Sequence, residues 1–164
     1  GPDFSAASND PHWFGQGEPL LELPITGEIV GRLGRAGLPL YRLAQRRGLS
    51  WCHLGGVLAR LGLVERVRLS PEGQTCEDML RLVRHLQHRG TRVFTFSFHS
   101  PSLKPGCTTY VRTEAERDAF LRCCDAFFER FLGELGGVAR TPLELRAELL
   151  ERCPPPSSDP SRAS

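Results

Sequence analysis

The sequence predicts an α/β fold, the C-terminal portion of a distorted (β/α) barrel in which about three parallel strands are covered by helices. Three observations predict it. Segments follow one another as strand, helices, strand, helix, strand, helix, and that alternation is what parallel βα units produce. The clearest strand, Arg92–Phe98, lies between two strong helical segments. A complete barrel takes roughly 250 residues and eight strands, and 164 residues hold only its later part.

Each element has its own signal. Residues 1–19 are rich in Gly, Pro, Ser and Asn and read as a loop. Leu20–Leu23 reads as a short apolar strand stopped by Pro24. Pro39–Arg47 has helical spacing (Leu40, Leu43, Ala44) and ends at Gly48. Trp51–Leu61 reads as a second short helix, weakened by Gly55-Gly56. Val64–Leu69 alternates as a strand does and is closed by Ser70-Pro71-Glu72-Gly73. The helix Cys76–Arg89 buries Met79, Leu82, Val83 and Leu86, opens on a capping box of Thr75 and Asp78, and stops at Gly90. Arg92–Phe98 is β-branched and aromatic throughout. Thr113-Glu114-Ala115-Glu116 starts a long helix whose apolar positions are Phe120, Cys124, Phe127, Phe128, Phe131 and Leu135. Thr141-Pro142-Leu143-Glu144 starts another, with Thr as cap and Pro in the first turn. From Cys153 to Ser164 the chain is a Pro/Ser-rich segment that reads as a disordered tail. The expected organisation is therefore a loop over 1–19, a partial βα domain over 20–152 and a tail over 153–164.

Composition narrows the function. The chain is 40% apolar, enough for a core, and its net charge of +2 is mild. Basic residues are interleaved with acidic ones, which gives no reason to expect nucleic acid. Lys104 is the only lysine, an Arg bias that fits a GC-rich genome. None of the six cysteines has the C-x-x-C spacing of a zinc knuckle or redox motif. They read as free thiols of a reducing compartment. No apolar run reaches the length of a membrane span, and no signal peptide opens the chain. Together these point to a cytoplasmic protein, unless the N-terminus is truncated. The missing initial Met, with Gly1-Pro2 as a cloning remnant, suggests a piece of a longer protein.

Strand alternation singles out His99. On Arg92–His99 one side carries Phe94, Phe96 and Phe98, which should pack under helices. The other carries Val93, Thr95, Ser97 and His99. His99 falls at the C-terminal end of the strand, where βα barrels place catalysis. A histidine that caps a strand end and bonds loop backbone is an equal alternative. The loop Ser100–Val111 is long for a βα connection, where roughly two to six residues are usual, and long loops on that face are often functional. Within it Lys104 and Tyr110 are placed to contact a polar substrate, unless the loop is simply stiffened by proline.

Ser70-Pro71-Glu72-Gly73, the helix through Met79 and Leu82 to Arg89-Gly90, the run Val93-Phe94-Thr95-Phe96-Ser97-Phe98-His99-Ser100-Pro101-Ser102-Leu103, and Pro105-Gly106-Cys107-Thr108 resemble the C-terminal half of a polysaccharide deacetylase of the NodB-homology family. The WalW-type branch, associated with bacterial surface polysaccharide, is the most similar. The likeness spans roughly Leu20 to Leu145. It implies a distorted (β/α) barrel and a divalent metal, usually zinc, held by an Asp and two His. A second Asp acts as base, and a late histidine protonates the departing amine. That histidine matches His99. An amine leaves poorly unless protonated, and imidazole supplies a proton near neutral pH.

The chain departs from the family pattern in several places. The family's Asp-Asp strand and its H-[S/T]-x-x-H metal motif are absent from this sequence, with Asp3 the one residue that could be left of an upstream motif. His85 and His88 have similar spacing, but Leu86 stands at the Ser/Thr position, and they read as helix-surface residues near the negative C-terminal end. Ser97 occupies the place of the family's leucine that lines the acetate pocket. Leu21-Glu22-Leu23-Pro24 resembles a strand the family often sets beside the substrate; Glu22 either faces the cleft there or is, equally, a plain solvent-facing carboxylate.

The expectation is thus a metal-dependent carbohydrate N-deacetylase acting on an N-acetylated polysaccharide or glycan precursor. His99 is its acid, Ser97, Glu22, Lys104 and Tyr110 meet the substrate, and the zinc is bound elsewhere in the intact protein. A non-catalytic carbohydrate-binding or assembly module is the alternative. A serine hydrolase built on Ser97, Ser100 or Ser102 is disfavoured, because residues this close to His99 cannot form triad geometry. Unpaired sheet edges would favour association of copies.

Overall fold

A computed structural model of the chain describes residues 8–15, 20–30 and 65–153. The helices expected at Pro39–Arg47 and Trp51–Leu61, and the tail beyond Cys153, lie outside these residues. In chain order the elements are β1 (His12–Phe14), β2 (Leu20–Glu22), β3 (Gly27–Val30), β4 (Glu65–Arg68), α1 (Cys76–His88), a 3₁₀ turn (Ser100–Leu103), α2 (Glu114–Gly133) and α3 (Pro142–Arg152).

The parallel-strand expectation is overturned. Both sheets are two-stranded and antiparallel: β1 with β2, and β3 with β4. No two described strands run parallel, so no portion of a (β/α) barrel is shown. The reasons are local. The expected strand at Leu20–Leu23 pairs with His12–Phe14, a stretch whose composition reads as loop. The strand expected at Val64–Leu69 is seen as Glu65–Arg68 and pairs with Gly27–Val30, a four-residue strand too short to stand out in the sequence.

The segment 91–99 is extended but joins no ladder. Ser97 N donates to Leu69 O at 3.1 Å, while Thr95 N donates to the Thr26 side-chain hydroxyl at 2.7 Å. A hydroxyl stands where a strand would offer a carbonyl, so consecutive ladder bonds do not form. The predicted alternation nonetheless places the phenylalanines correctly. Phe94 meets Phe131 at 6.2 Å, Phe96 stacks on Phe127 at 5.3 Å, and Phe98 meets Phe120 at 5.3 Å. Each alternate phenylalanine therefore reaches a different turn of α2, in ring geometries that aromatic pairs prefer.

The core lies between the β3–β4 sheet, α1 and α2. Met79, Leu82, Val83 and Leu86 are fully buried, as the spacing predicts, with Leu80, Val67, Leu69, Val30 and Phe127. The longer helix buries a narrower stripe than its pattern suggests: Phe120 and Phe127 are enclosed, while Phe128 stays at the surface against Phe96. At the outer edge Arg130 pairs with Glu134 at 2.9 Å and with Glu77 of α1. Exposed pairs of this kind add little stability each. The described cysteines are free, and burial pushes the Cys124 thiol up to about 11. No helix among the described residues is long and apolar enough to cross a membrane.

All three predicted capping boxes are present: Thr75 with Asp78, Thr113 with Glu116, and Thr141 with Glu144. Thr113 Oγ1 accepts from Glu116 N at 3.2 Å, and Glu116 Oε2 accepts from Thr113 N at 3.1 Å. Thr113→Ala is expected to cost about 1 kcal/mol in a urea titration, with Thr113→Ser restoring most of it.

Helix α3 buries no residue fully. Trp13 of β1 fastens its end, donating from Nε1 to Cys153 O at 2.8 Å. The Arg146 guanidinium sits 5.8 Å above the same indole ring, a cation–π distance.

Candidate functional site

The site is built where the turn after β4 meets the end of the extended segment. Leu69 anchors both, donating from N to Thr26 O and accepting at O from Ser97 N. Ser70 and Pro71 are buried, and Ser70 Oγ accepts from Glu72 N at 3.3 Å. Gly73 then turns away with φ of 78°, a left-handed value that other residues adopt at a cost. The turn thereby aims the Glu72 side chain back at His99.

Glu72 is almost enclosed and His99 is open: their side chains are 6% and 78% exposed. Glu72 Oε2 lies 2.7 Å from His99 Nδ1. Glu72 Oε1 accepts from His99 N at 3.1 Å and from Ser102 Oγ at 2.5 Å. Burial raises the Glu72 pKa, but the bonds from Ser102 and His99 together outweigh it and hold the carboxyl below its ordinary range. Near neutral pH Glu72 is therefore an anion that only accepts hydrogen bonds. Nδ1 must carry the proton between them, which leaves Nε2 as the working nitrogen.

His99 also caps the 3₁₀ turn Ser100–Leu103, its carbonyl accepting from Ser102 N at 2.9 Å. The His99 backbone and Nδ1 are thus engaged by the turn and by Glu72, in a side chain that is otherwise exposed. Neutral, Nε2 is a base or ligand; protonated, it is an acid.

The structure sorts the remaining candidates. Tyr110 lies beside this turn: a Cβ placed on Gly73 would sit 3.7 Å from its ring. Lys104 is exposed, at the end of the 3₁₀ turn that His99 begins. Ser97 is half-buried, and its backbone holds the segment to Leu69. Glu22 is engaged in the β1–β2 hairpin, 3.3 Å from His12 across the strands, and is not among the groups bonded to His99. His85 and His88 fall in the last turn of α1, as surface residues should. Ser102 is fully buried, and its hydroxyl donates to Glu72 rather than to the imidazole, so His99 is not placed as its base.

Sequence reasoning did not single out Glu72, and it weighed Ser102 only as a nucleophile, not as a partner of that carboxylate. Periodicity gives no sign of either, since one sits in a turn and the other in a loop; the only signal was their membership in the quoted motifs. Among the described residues no group of three or more His, Cys, Asp or Glu is placed to hold a metal ion.

No family model, curated protein or solved structure matches the chain.

Proposed function

We propose that the chain is part of a carbohydrate N-deacetylase in which His99 is the general acid that protonates the departing amine. One observation carries the proposal: an imidazole held through Nδ1 by a nearly enclosed carboxylate while its side chain stays 78% exposed. The resemblance around His99 supplies the reaction. A C–N bond breaks as the tetrahedral centre collapses, and the imidazolium gives its Nε2 proton to the nitrogen, so a neutral amine leaves. Glu72 keeps the ring oriented and stabilises its positive charge. The described residues do not fit the metal centre of that family, and the chemistry assigned to this chain is the proton transfer alone.

His99→Ala is expected to lower acetate release from N-acetylchitooligosaccharides by roughly 100- to 10,000-fold in the full natural protein supplied with Zn²⁺. The ring is exposed, but its removal takes the Nδ1 bond from the nearly enclosed Glu72 carboxylate, so unfolding free energy should fall by about 1–3 kcal/mol. Turnover equal to wild type in that variant would remove His99 from the mechanism.

A further inference from the structure

Two cysteines meet where the start of α1 packs on α2. Cys76 is the first residue of α1 and Cys123 lies on α2; both are half-buried and pack against the same core. Cys123 Sγ donates to Gln74 O at 3.9 Å, and the Cys76 backbone N–H borders the same sulfur. Cys123 Sγ therefore lies against the backbone that carries Cys76, the kind of approach a disulfide requires. The Cys76 sulfur has a cation beside it, the Arg130 guanidinium, which also pairs with Glu77. Cys124 is adjacent to Cys123 in the chain, but neighbouring residues of a helix project about 100° apart.

We propose that Cys76 and Cys123 are a redox-sensitive dithiol whose oxidation joins the two sulfurs in a disulfide, locking the start of α1 and the turn that bears Glu72 to α2. Nothing in this chemistry depends on the deacetylase reading. The oxidant is a low-molecular-weight disulfide. Cys76 attacks first, because a helix N-terminus and a guanidinium both favour its thiolate. Its sulfur bonds to one sulfur of the small disulfide, whose S–S bond breaks and releases one small thiolate. The Cys123 thiolate then attacks the Cys76 sulfur and displaces the second. Two electrons pass from the protein sulfurs to the small disulfide, and the two protein thiol protons end on the two small thiols. Burial pushes both protein thiols up from their ordinary value, so at rest they are protonated and exchange slowly. The bond closes the chain from Cys76 to Cys123 into a loop and restricts the unfolded state.

The test is incubation of the full folded chain with oxidised glutathione, followed by alkylation of the remaining thiols and peptide mass mapping. Wild type, Cys76→Ala, Cys123→Ala and Cys124→Ala are compared. Wild type and Cys124→Ala should yield one peptide pair joined through Cys76 and Cys123. Their melting temperatures should rise by roughly 5–15 °C and return with dithiothreitol. In Cys76→Ala and Cys123→Ala neither the pair nor the rise should appear. The wild-type map decides alone if an alanine variant fails to fold. Cys76 and Cys123 recovered alkylated, while the exposed Cys107 and Cys153 carry glutathione, overturns the dithiol. So does either sulfur joined to another cysteine, or a Cys76–Cys123 bond that leaves the melting temperature unchanged.

Discussion

Glu72→Ala should cost about 3 kcal/mol of stability and abolish the orientation of His99 in the same step. The carboxylate takes three hydrogen bonds, from Ser102 Oγ, His99 N and His99 Nδ1, and its side chain is 6% exposed. Removing it takes the acceptor from the His99 backbone N–H and leaves the buried Ser102 hydroxyl only Thr108 Oγ1, at 3.2 Å, and the lost hydrogen bonds to a charged acceptor are what make the change expensive. Glu72→Gln separates stability from chemistry. Oε1 already receives two donors, so the amide oxygen must take that place. The amide NH₂ must then face His99 Nδ1. The neutral ring is forced into the other tautomer, and its protonated form meets a donor instead of an anion. Unfolding free energy should fall less than in the alanine variant, while deacetylation falls roughly 100-fold or more. Imidazole ¹⁵N spectra would show the tautomer change directly, independent of activity.

The pH dependence of that difference has a defined sign. The Glu72 carboxyl is lower in the folded protein than its ordinary value of 4.5. The unfolded chain therefore binds this proton more readily, and the stabilisation is complete only above that value. As pH falls from about 4.5 through the folded value, wild type should lose stability relative to Glu72→Gln, and their melting temperatures should converge. A gap that widens with acid would mean that Glu72 is not the anion inferred here.

Phe127→Ala should destabilise the protein by about 3–5 kcal/mol, a large share of the roughly 5–15 kcal/mol that holds a typical domain folded. Phe127 is 1% exposed and stacks between Phe96 at 5.3 Å and Phe131 at 5.6 Å. Alanine leaves a cavity between α2 and the extended segment, and the segment lacks the ladder bonds that would hold it without the aromatic contacts. Phe128→Ala, one residue on and at the surface, should cost less. Denaturation midpoints by urea would rank the two; equal losses would mean that the segment is held by something other than the buried ring.

Helices were legible where local chemistry decides them. Thr75 with Asp78, Thr113 with Glu116 and Thr141 with Glu144 cap their helices in the predicted places, because the bonds form within a few residues. Strand pairing was not legible, since β3 and β4 lie far apart in sequence, β1 falls in a stretch whose composition reads as loop, and either direction of pairing suits the same alternating pattern. Arg92–Phe98 shows both sides of this. Its phenylalanines face α2 as alternation demands, yet Thr26 interrupts the ladder, and nothing within Arg92–Phe98 announces Thr26. At the site, His99 could be chosen from its position at a segment end. Glu72, 27 residues earlier, could not, because only the turn through Gly73 brings it there.

The contact between Trp13 and the end of α3 has a consequence for how the molecule opens. It joins residues 140 positions apart, so nearly the whole described chain is looped between them. Closing so long a loop costs only a little more entropy than closing one of half the length, and among the described residues the helix it fastens buries no side chain fully. Helix α3 is therefore expected to detach and redock as a unit while the Glu72–His99 pair stays assembled. Amide hydrogens in α3 should exchange by that local opening, whereas those of α1, whose apolar face is sealed in the core, should exchange only when the fold itself comes apart.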